Sequence, residues 1–217
     1  MESDALKILI AIPCMDTVPV DFMTSMINMR KTSETAYAVQ ANSMIYDSRN
    51  TLTAKALVNG YDRVLWIDSD MVFDEDLLER LNRDMDAGPD YVSALCFKRH
   101  IPTGPCVYRE INYGQAEDGT VRAEAVPYND YPEDMMFRCA GTGFGAVMVS
   151  TALLKDVWEH YGPPFNPLTQ MGEDLSFCYR AAQLNYPMYC DSRIKVGHCG
   201  QYIYSESDYK REANPSG

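Results

Sequence analysis

The run Arg63-Val64-Leu65-Trp66-Ile67-Asp68-Ser69-Asp70 decides the fold. Four consecutive apolar residues suit a strand buried on both faces, which is how the strands of a parallel sheet read. The run passes without a break into two carboxylates separated by one residue. Open α/β sheets bind ligands beyond the carboxyl ends of their strands, so the place of these acids is as informative as their identity. Asp68 and Asp70 can face one hard cation, and Mg2+ or Mn2+ takes such oxygen ligands together with substrate phosphates. A bare D-x-D can simply open a turn before a helix. Its position directly after a buried strand makes this one a candidate site.

Outward from this run the same alternation continues. Upstream, Lys7-Ile8-Leu9-Ile10-Ala11-Ile12 is another continuous apolar strand, expected to end at Pro13. Residues 20–30 space Phe22, Met26 and Met29 at helical intervals, residues 34–41 suit a second strand, and residues 48–59 suit a helix stopped by Gly60. Downstream, Asp74 can cap a helix carrying Leu77, Leu78, Leu81 and Met85 and ending at Gly88, followed by a strand over 91–95. Strands and helices alternating at these lengths predict an α/β fold with a mostly parallel, Rossmann-like central sheet flanked by helices.

The second half changes character. Residues 100–137 are rich in Pro, Tyr, Gly and acids, and predict an excursion with a small antiparallel section near 107–111 and 121–126. A strand over 144–149, a helix over 151–160, a Pro-rich loop, a helix over 173–184 and short strands over 188–190 and 194–196 follow. One domain is expected over residues 1–205, with a flexible C-terminal tail over 206–217.

The chain has 217 residues, enough for one sizeable core. Its net charge of -12, from 31 acidic against 19 basic residues, disfavours nucleic acid as a partner. A phosphorylated small molecule held through a divalent cation stays compatible. The apolar stretch over 6–12 is too short for a signal peptide, and no run is long enough to span a bilayer. A cytoplasmic protein without membrane insertion is therefore expected. Its seven cysteines contain no CxxC pair, so they read as small buried hydrophobes and not as a disulfide framework or a zinc site.

Four further groups bear on chemistry. Gly172-Glu173-Asp174 opens a helix, where acids are favoured by the dipole but where an ionised carboxylate also suits a general base. His198 follows the last predicted strand and is a candidate third metal ligand, although a lone histidine is more often structural. Gly141-Thr142-Gly143-Phe144-Gly145 matches no phosphate-loop spacing and reads as a tight turn facing substrate. Ser48-Arg49-Asn50 reads as a helix start, from which Arg49 could reach a phosphate or the Asp68 and Asp70 carboxylates.

Taken in order, the strand ending at Ile12-Pro13, the Arg49-Asn50 helix start, the Asp68-Ser69-Asp70 turn, the Gly-rich strand entry, the Glu173-Asp174 pair and the late Gly197-His198 resemble family 2-like glycosyltransferases of the GT-A fold. The resemblance covers roughly residues 6–200. It implies a metal-dependent enzyme that moves a sugar from a UDP- or GDP-linked donor to a hydroxyl acceptor, with inversion. It implies that Asp70 binds Mn2+ or Mg2+ with His198, and that Asp68 joins the metal shell or contacts the donor with Ser69. Pro13 and Asp16 would lie near the nucleobase and Arg49 near the donor. Asp174 would be the base, supported by Glu173, with Gly141, Thr142 and Gly143 on the acceptor side. The QxxRW-type segment common in such enzymes is absent, which leaves a near-minimal core.

Three other readings compete. A nucleotidyltransferase would carry a basic, Gly-rich loop after its first strand, where this chain has Pro13-Cys14-Met15-Asp16-Thr17-Val18-Pro19. A DxD-type phosphatase would place its acids on the first strand. A catalytically silent nucleotide-sugar-binding module would have no need of all five of Asp68, Asp70, Glu173, Asp174 and His198.

Overall fold

The computed structural model describes residues 6–31, 34–116, 118–200 and 203–213. In chain order, β1 (Ile8–Cys14) leads into α1 (Val20–Asn28), then β2 (Thr35–Ala41), α2 (Ile45–Val58), β3 (Arg63–Ile67), β4 (Met71–Val72), α3 (Leu77–Asp86) and β5 (Tyr91–Leu95). The excursion supplies β6 (Val107–Gln115) and β7 (Val121–Pro127), followed by β8 (Met136–Cys139), β9 (Gly141–Thr142) and β10 (Ala146–Ser150). The chain closes with α4 (Thr151–Tyr161), α5 (Glu173–Gln183), β11 (Met188–Lys195), β12 (Gly197–Cys199), β13 (Ile203–Tyr204) and α6 (Glu206–Ala213).

Seven strands form the central sheet in the order β2-β1-β3-β10-β5-β11-β8. The pairs β1–β2, β1–β3 and β5–β11 are parallel, while β10 and β8 run against their neighbours. The sheet is therefore mostly parallel, with one reversed strand at its centre. Both faces are covered, which is why residues 8–12 of β1 and residues 64–67 of β3 are apolar throughout. Ile8, Ile10 and Ile12 enter one core with Phe22 of α1 and Leu78 and Leu81 of α3; Leu9, Ala11 and Trp66 enter the other with Leu52 of α2, Leu154 of α4 and Phe177 of α5. Two smaller antiparallel sheets, β7-β6-β9 and β13-β12-β4, lie outside the main one.

Several expectations are corrected. Pro13 does not end β1, because the strand continues to Cys14 with Pro13 opposite Gln40 of β2. Pairing of β1 to β3 stops at Ala11, so a residue without an N–H is tolerated there. The second helix begins at Ile45, one turn before Ser48, whose hydroxyl lies 2.6 Å from that of Ser43 instead of capping. Residues 188–195 form one strand with a register shift between Asp191 and Lys195.

The segment expected as a tail is a helix over Glu206–Ala213. Asp208 accepts the Ser205 backbone N–H at 2.9 Å, one half of a capping box. Tyr209 packs its ring 5.8 Å from that of Phe97 and donates its hydroxyl to the Asn129 carbonyl. Residues 214–217 of the expected tail lie outside the described residues. All seven cysteines are free thiols, and five of them are buried. No helix among the described residues is long and apolar enough to cross a membrane.

Candidate active site

The site forms where β3 leaves the sheet. The Asp68 N–H donates to the Gly145 carbonyl and the Met71 N–H returns to the Asp68 carbonyl, closing a turn that presents both carboxylates. This turn flows into β4, which pairs with β12 so that Met71 lies opposite His198. The Cys199 N–H donates to the Asp70 carbonyl at 2.7 Å. These few backbone bonds carry a residue 128 positions away to the side of Asp70: His198 Nε2 lies 3.1 Å from Asp70 Oδ2.

His198 Nδ1 lies 3.0 Å from the Phe97 carbonyl oxygen, which can only accept. The Asp70 carboxylate also accepts, so both ring nitrogens face acceptors and a proton on each satisfies them; a cation taking the place of the Nε2 proton would leave the ring oriented through Nδ1–H. Burial opposes the charged imidazole, yet the hydrogen bond and charge of Asp70 outweigh it and raise the His198 pKa above its ordinary value. A site that gathers positive charge between Asp70 and His198 suits a small hard cation. Among the described residues no group of three or more His, Cys, Asp or Glu side chains could hold a metal ion, so two protein ligands would need oxygens from a substrate, as Mg2+ sites commonly do.

Arg49 connects this turn to the other acidic motif. Its guanidinium is buried, with the side chain 2% exposed; Nη2 donates to Asp68 Oδ1 at 2.8 Å and Nε reaches Glu173 Oε1 at 3.4 Å. The rings of Phe144, Trp66 and Phe165 lie 5.1, 5.8 and 5.9 Å from its Cζ. Arg49 thus sits beneath the site and acts on it through Asp68 and Glu173, not from a solvated helix start. Burial works against its charge, but Asp68, Glu173 and Asp174 hold its pKa above the ordinary value. Burial raises the Asp68 pKa, with Asp70 adding to the rise and Arg49 opposing it.

Asp174 opens α5 next to Glu173. Its Oδ1 accepts the Leu175 N–H at 2.7 Å. Burial, followed by the charge of Glu173, raises its pKa to about 6, within the range where a carboxylate exchanges protons near neutrality. Gly143 lies against it, since a Cβ there would stand 3.7 Å from Asp174 Oδ2 and 3.3 Å from Cys106 Cβ.

A cleft of about 200 Å³ opens over Asp68, Ser69, Asp70 and His198, walled by Pro13, Cys14, Met15, Ser43, Ile45 and Ser48. Pro13 lines the cleft, whereas Asp16 is exposed and does not. Gly141 and Thr142 do not form a tight turn. They make strand β9, Thr142 is 1% exposed, and its hydroxyl lies 2.7 Å from that of Tyr91. Gly141 is there for packing, because a Cβ would fall 2.7 Å from both Cys178 Cβ and Ile111 Cδ1.

No family model and no curated protein matches the sequence. Solved structures do match the fold. It is similar to that of A197 from STIV, with a TM-score of 0.63 and 19% identity over 90% of this chain and 86% of that one. It is also similar to GalNAc-T7 solved with UDP, GalNAc and Mn2+, with a TM-score of 0.59 and 10% identity over 97% of this chain and 48% of that one. The chain thus spans about half the length of GalNAc-T7. At these identities the likeness is one of fold, an α/β architecture with a GT-A-like neighbour.

The sequence reading missed Arg99. Its Nη1 lies 2.8 Å from Asp70 Oδ2 and 3.4 Å from the Cys199 carbonyl, and the side chain is half-exposed. A signal was available: the basic run Lys98-Arg99-His100 follows closely on β5, at the same carboxyl edge of the sheet as Asp68.

Proposed function

We propose that the chain is a glycosyltransferase that takes a sugar from a UDP- or GDP-linked donor and passes it, with inversion, to a hydroxyl acceptor. The observation that carries this reading is the Arg49 guanidinium, which holds the Asp68 turn and the Glu173-Asp174 helix start in one charged assembly beside the Asp70–His198 pair. The likeness in fold to GalNAc-T7, whose structure contains UDP and Mn2+, supports it.

Asp70 and His198 are the residues that would hold Mn2+ or Mg2+, which when bound offsets charge on a departing diphosphate. The walls around Pro13 and Met15 suit the nucleoside, with Asp68 and Ser69 beneath it. Arg99 is a second positive group at the same edge, available to a phosphate oxygen. Asp174 takes the acceptor proton at Oδ2, because Oδ1 is already engaged by the Leu175 N–H. Glu173 is paired with Arg49 and so positions the start of α5 that carries Asp174.

The test is calorimetric titration of UDP and GDP with and without Mn2+. One nucleotide is expected to bind tightly only with the metal, and to lose that binding in Asp70→Ala. Asp174→Asn is expected to keep nucleotide binding and lose hydrolysis of the corresponding donor sugar. Failure of both nucleotides to bind would overturn the donor site; wild-type hydrolysis by Asp174→Asn would overturn the base.

A further inference from the structure

Two concavities larger than this cleft lie away from it, between the β6–β7 hairpin and α5. One of about 680 Å³ and one of about 900 Å³ adjoin at Ile111, Tyr179 and Gln183, and the 680 Å³ one is a trough along α5. On the side of the proposed base, β6 begins beside Gly141–Thr142 and runs outward, and four residues of extended chain from Val107 to Ile111 cover about 13 Å. Along α5, Tyr179 and Gln183 stand five and nine residues beyond Asp174, about 7 and 13 Å along the helix.

The trough lacks the predominantly apolar lining of most small-molecule pockets. Tyr128, Tyr179 and Tyr186 line the trough beside Asn185 and Gln183. Tyr113 and Tyr179 meet edge to face at 5.4 Å, which fixes their orientation. Rings that cover the C–H face of a sugar, interleaved with amides that donate and accept to its hydroxyls, make a carbohydrate surface. The 680 Å³ trough is locally basic on a chain of net charge -12, since its charged lining residues are Arg109 and Arg138, whereas the adjoining 900 Å³ concavity carries Asp118 and Glu124 beside Arg122. Arg109 lies over the Tyr128 ring at 4.6 Å and pairs with Asp130 outside the lining. Arg138, exposed on the edge strand β8, makes no ion pair or hydrogen bond among the described residues.

We infer that this trough binds an acidic oligosaccharide, with a sugar ring against Tyr179 and a carboxylate or other anionic substituent on Arg138. If the transferase reading holds, this ligand is the distal part of the acceptor, gripped remotely from the reacting hydroxyl; the binding itself does not depend on that reading.

The experiment titrates tetragalacturonate, maltotetraose and the oligonucleotide dT8 into the full chain without nucleotide or metal. Tetragalacturonate is expected to bind saturably and at least ten-fold more tightly than maltotetraose. Arg138→Ala and Tyr179→Ala, each verified as folded by its melting temperature, are expected to weaken it at least ten-fold while leaving UDP or GDP binding with Mn2+ unchanged. Asp70→Ala is expected to leave it intact. No saturable binding, equal binding of maltotetraose, tighter binding of dT8, or indifference to both trough variants would each overturn the inference. Tetragalacturonate binding in a protein that binds no nucleotide would leave the trough standing and remove only the donor site.

Discussion

Replacing Arg49 with methionine isolates the charge that joins the two acidic motifs. Methionine keeps an unbranched apolar stem against Trp66, Phe144 and Phe165 while deleting the guanidinium. Asp68 and Glu173 then lose their shared cation with side chains only 29% and 17% exposed. One such pair contributes about 4 kcal/mol at 4 Å with an effective dielectric of 20, and removing one member of a buried pair costs about 3–5 kcal/mol. The residual hydration of both acids, and relief from desolvating the guanidinium, bring the expected loss to about 2–4 kcal/mol. For a domain of this size that corresponds to a melting temperature lower by roughly 4–16 °C.

The loss must also depend on pH. It is largest where Asp68 is ionised and shrinks as that carboxyl, its pKa raised by burial, protonates, so urea denaturation at pH 7.5 and pH 4.5 should give clearly different penalties. Adding Asp68→Asn and Glu173→Gln to the Arg49→Met background should recover much of the stability. A penalty below about 1 kcal/mol, or one equal at both pH values, would refute the charged bridge.

Donor hydrolysis should fall about ten-fold per pH unit below about 6, because Asp174 acts only when ionised and burial beside Glu173 raises its pKa to that value. In Arg49→Met, which removes a charge that lowers the Asp174 pKa, the acid limb of the profile should move to higher pH. Gly141→Ala should lower stability by about 1–3 kcal/mol in denaturant titrations, since its methyl would enter the space of Cys178 and Ile111. Asp84 has a pKa raised to about 6 by burial and by its neighbour Asp191, so it disfavours the folded state increasingly as pH rises from the ordinary carboxylate range through about 6. Asp84→Asn should therefore be more stable than the parent at pH 8, by about 1 kcal/mol, with that advantage lost at pH 4.5.

Much of this architecture was legible because burial on both faces leaves an uninterrupted apolar run, as in residues 8–12 and 64–67. The acids stood out because they followed such runs. What escaped were relations between distant segments. The apolar residues of β10 are the same whether the strand runs up or down, so its reversal between β3 and β5 could not be read from them. Glycine at 141 signals either a turn or a close approach, and only the placement of Cys178 and Ile111 selects the second. Arg49 carried a charge that its surrounding sequence gave no reason to bury. The helix over Glu206–Ala213 was missed although Ser205 and Asp208 spell a capping pattern, because its apolar contacts are few and centre on Tyr209.

The reversed strand at the centre of the sheet also governs the order in which the chain can assemble. Strands β1, β2 and β3 can pair as soon as they are made, but β3 and β5 share no edge until residues 146–150 arrive between them. During synthesis from the N-terminus the DSD turn therefore waits on a wedge encoded nearly 80 residues later, and Gly145, which accepts the Asp68 N–H, arrives immediately before that wedge. Non-local closures of this kind slow folding and leave strand edges unpaired in the interim. The nascent first half is thus the stage at which this protein is most exposed to wrong pairing, and insertion of β10 both completes the sheet and sets the carboxylates in place.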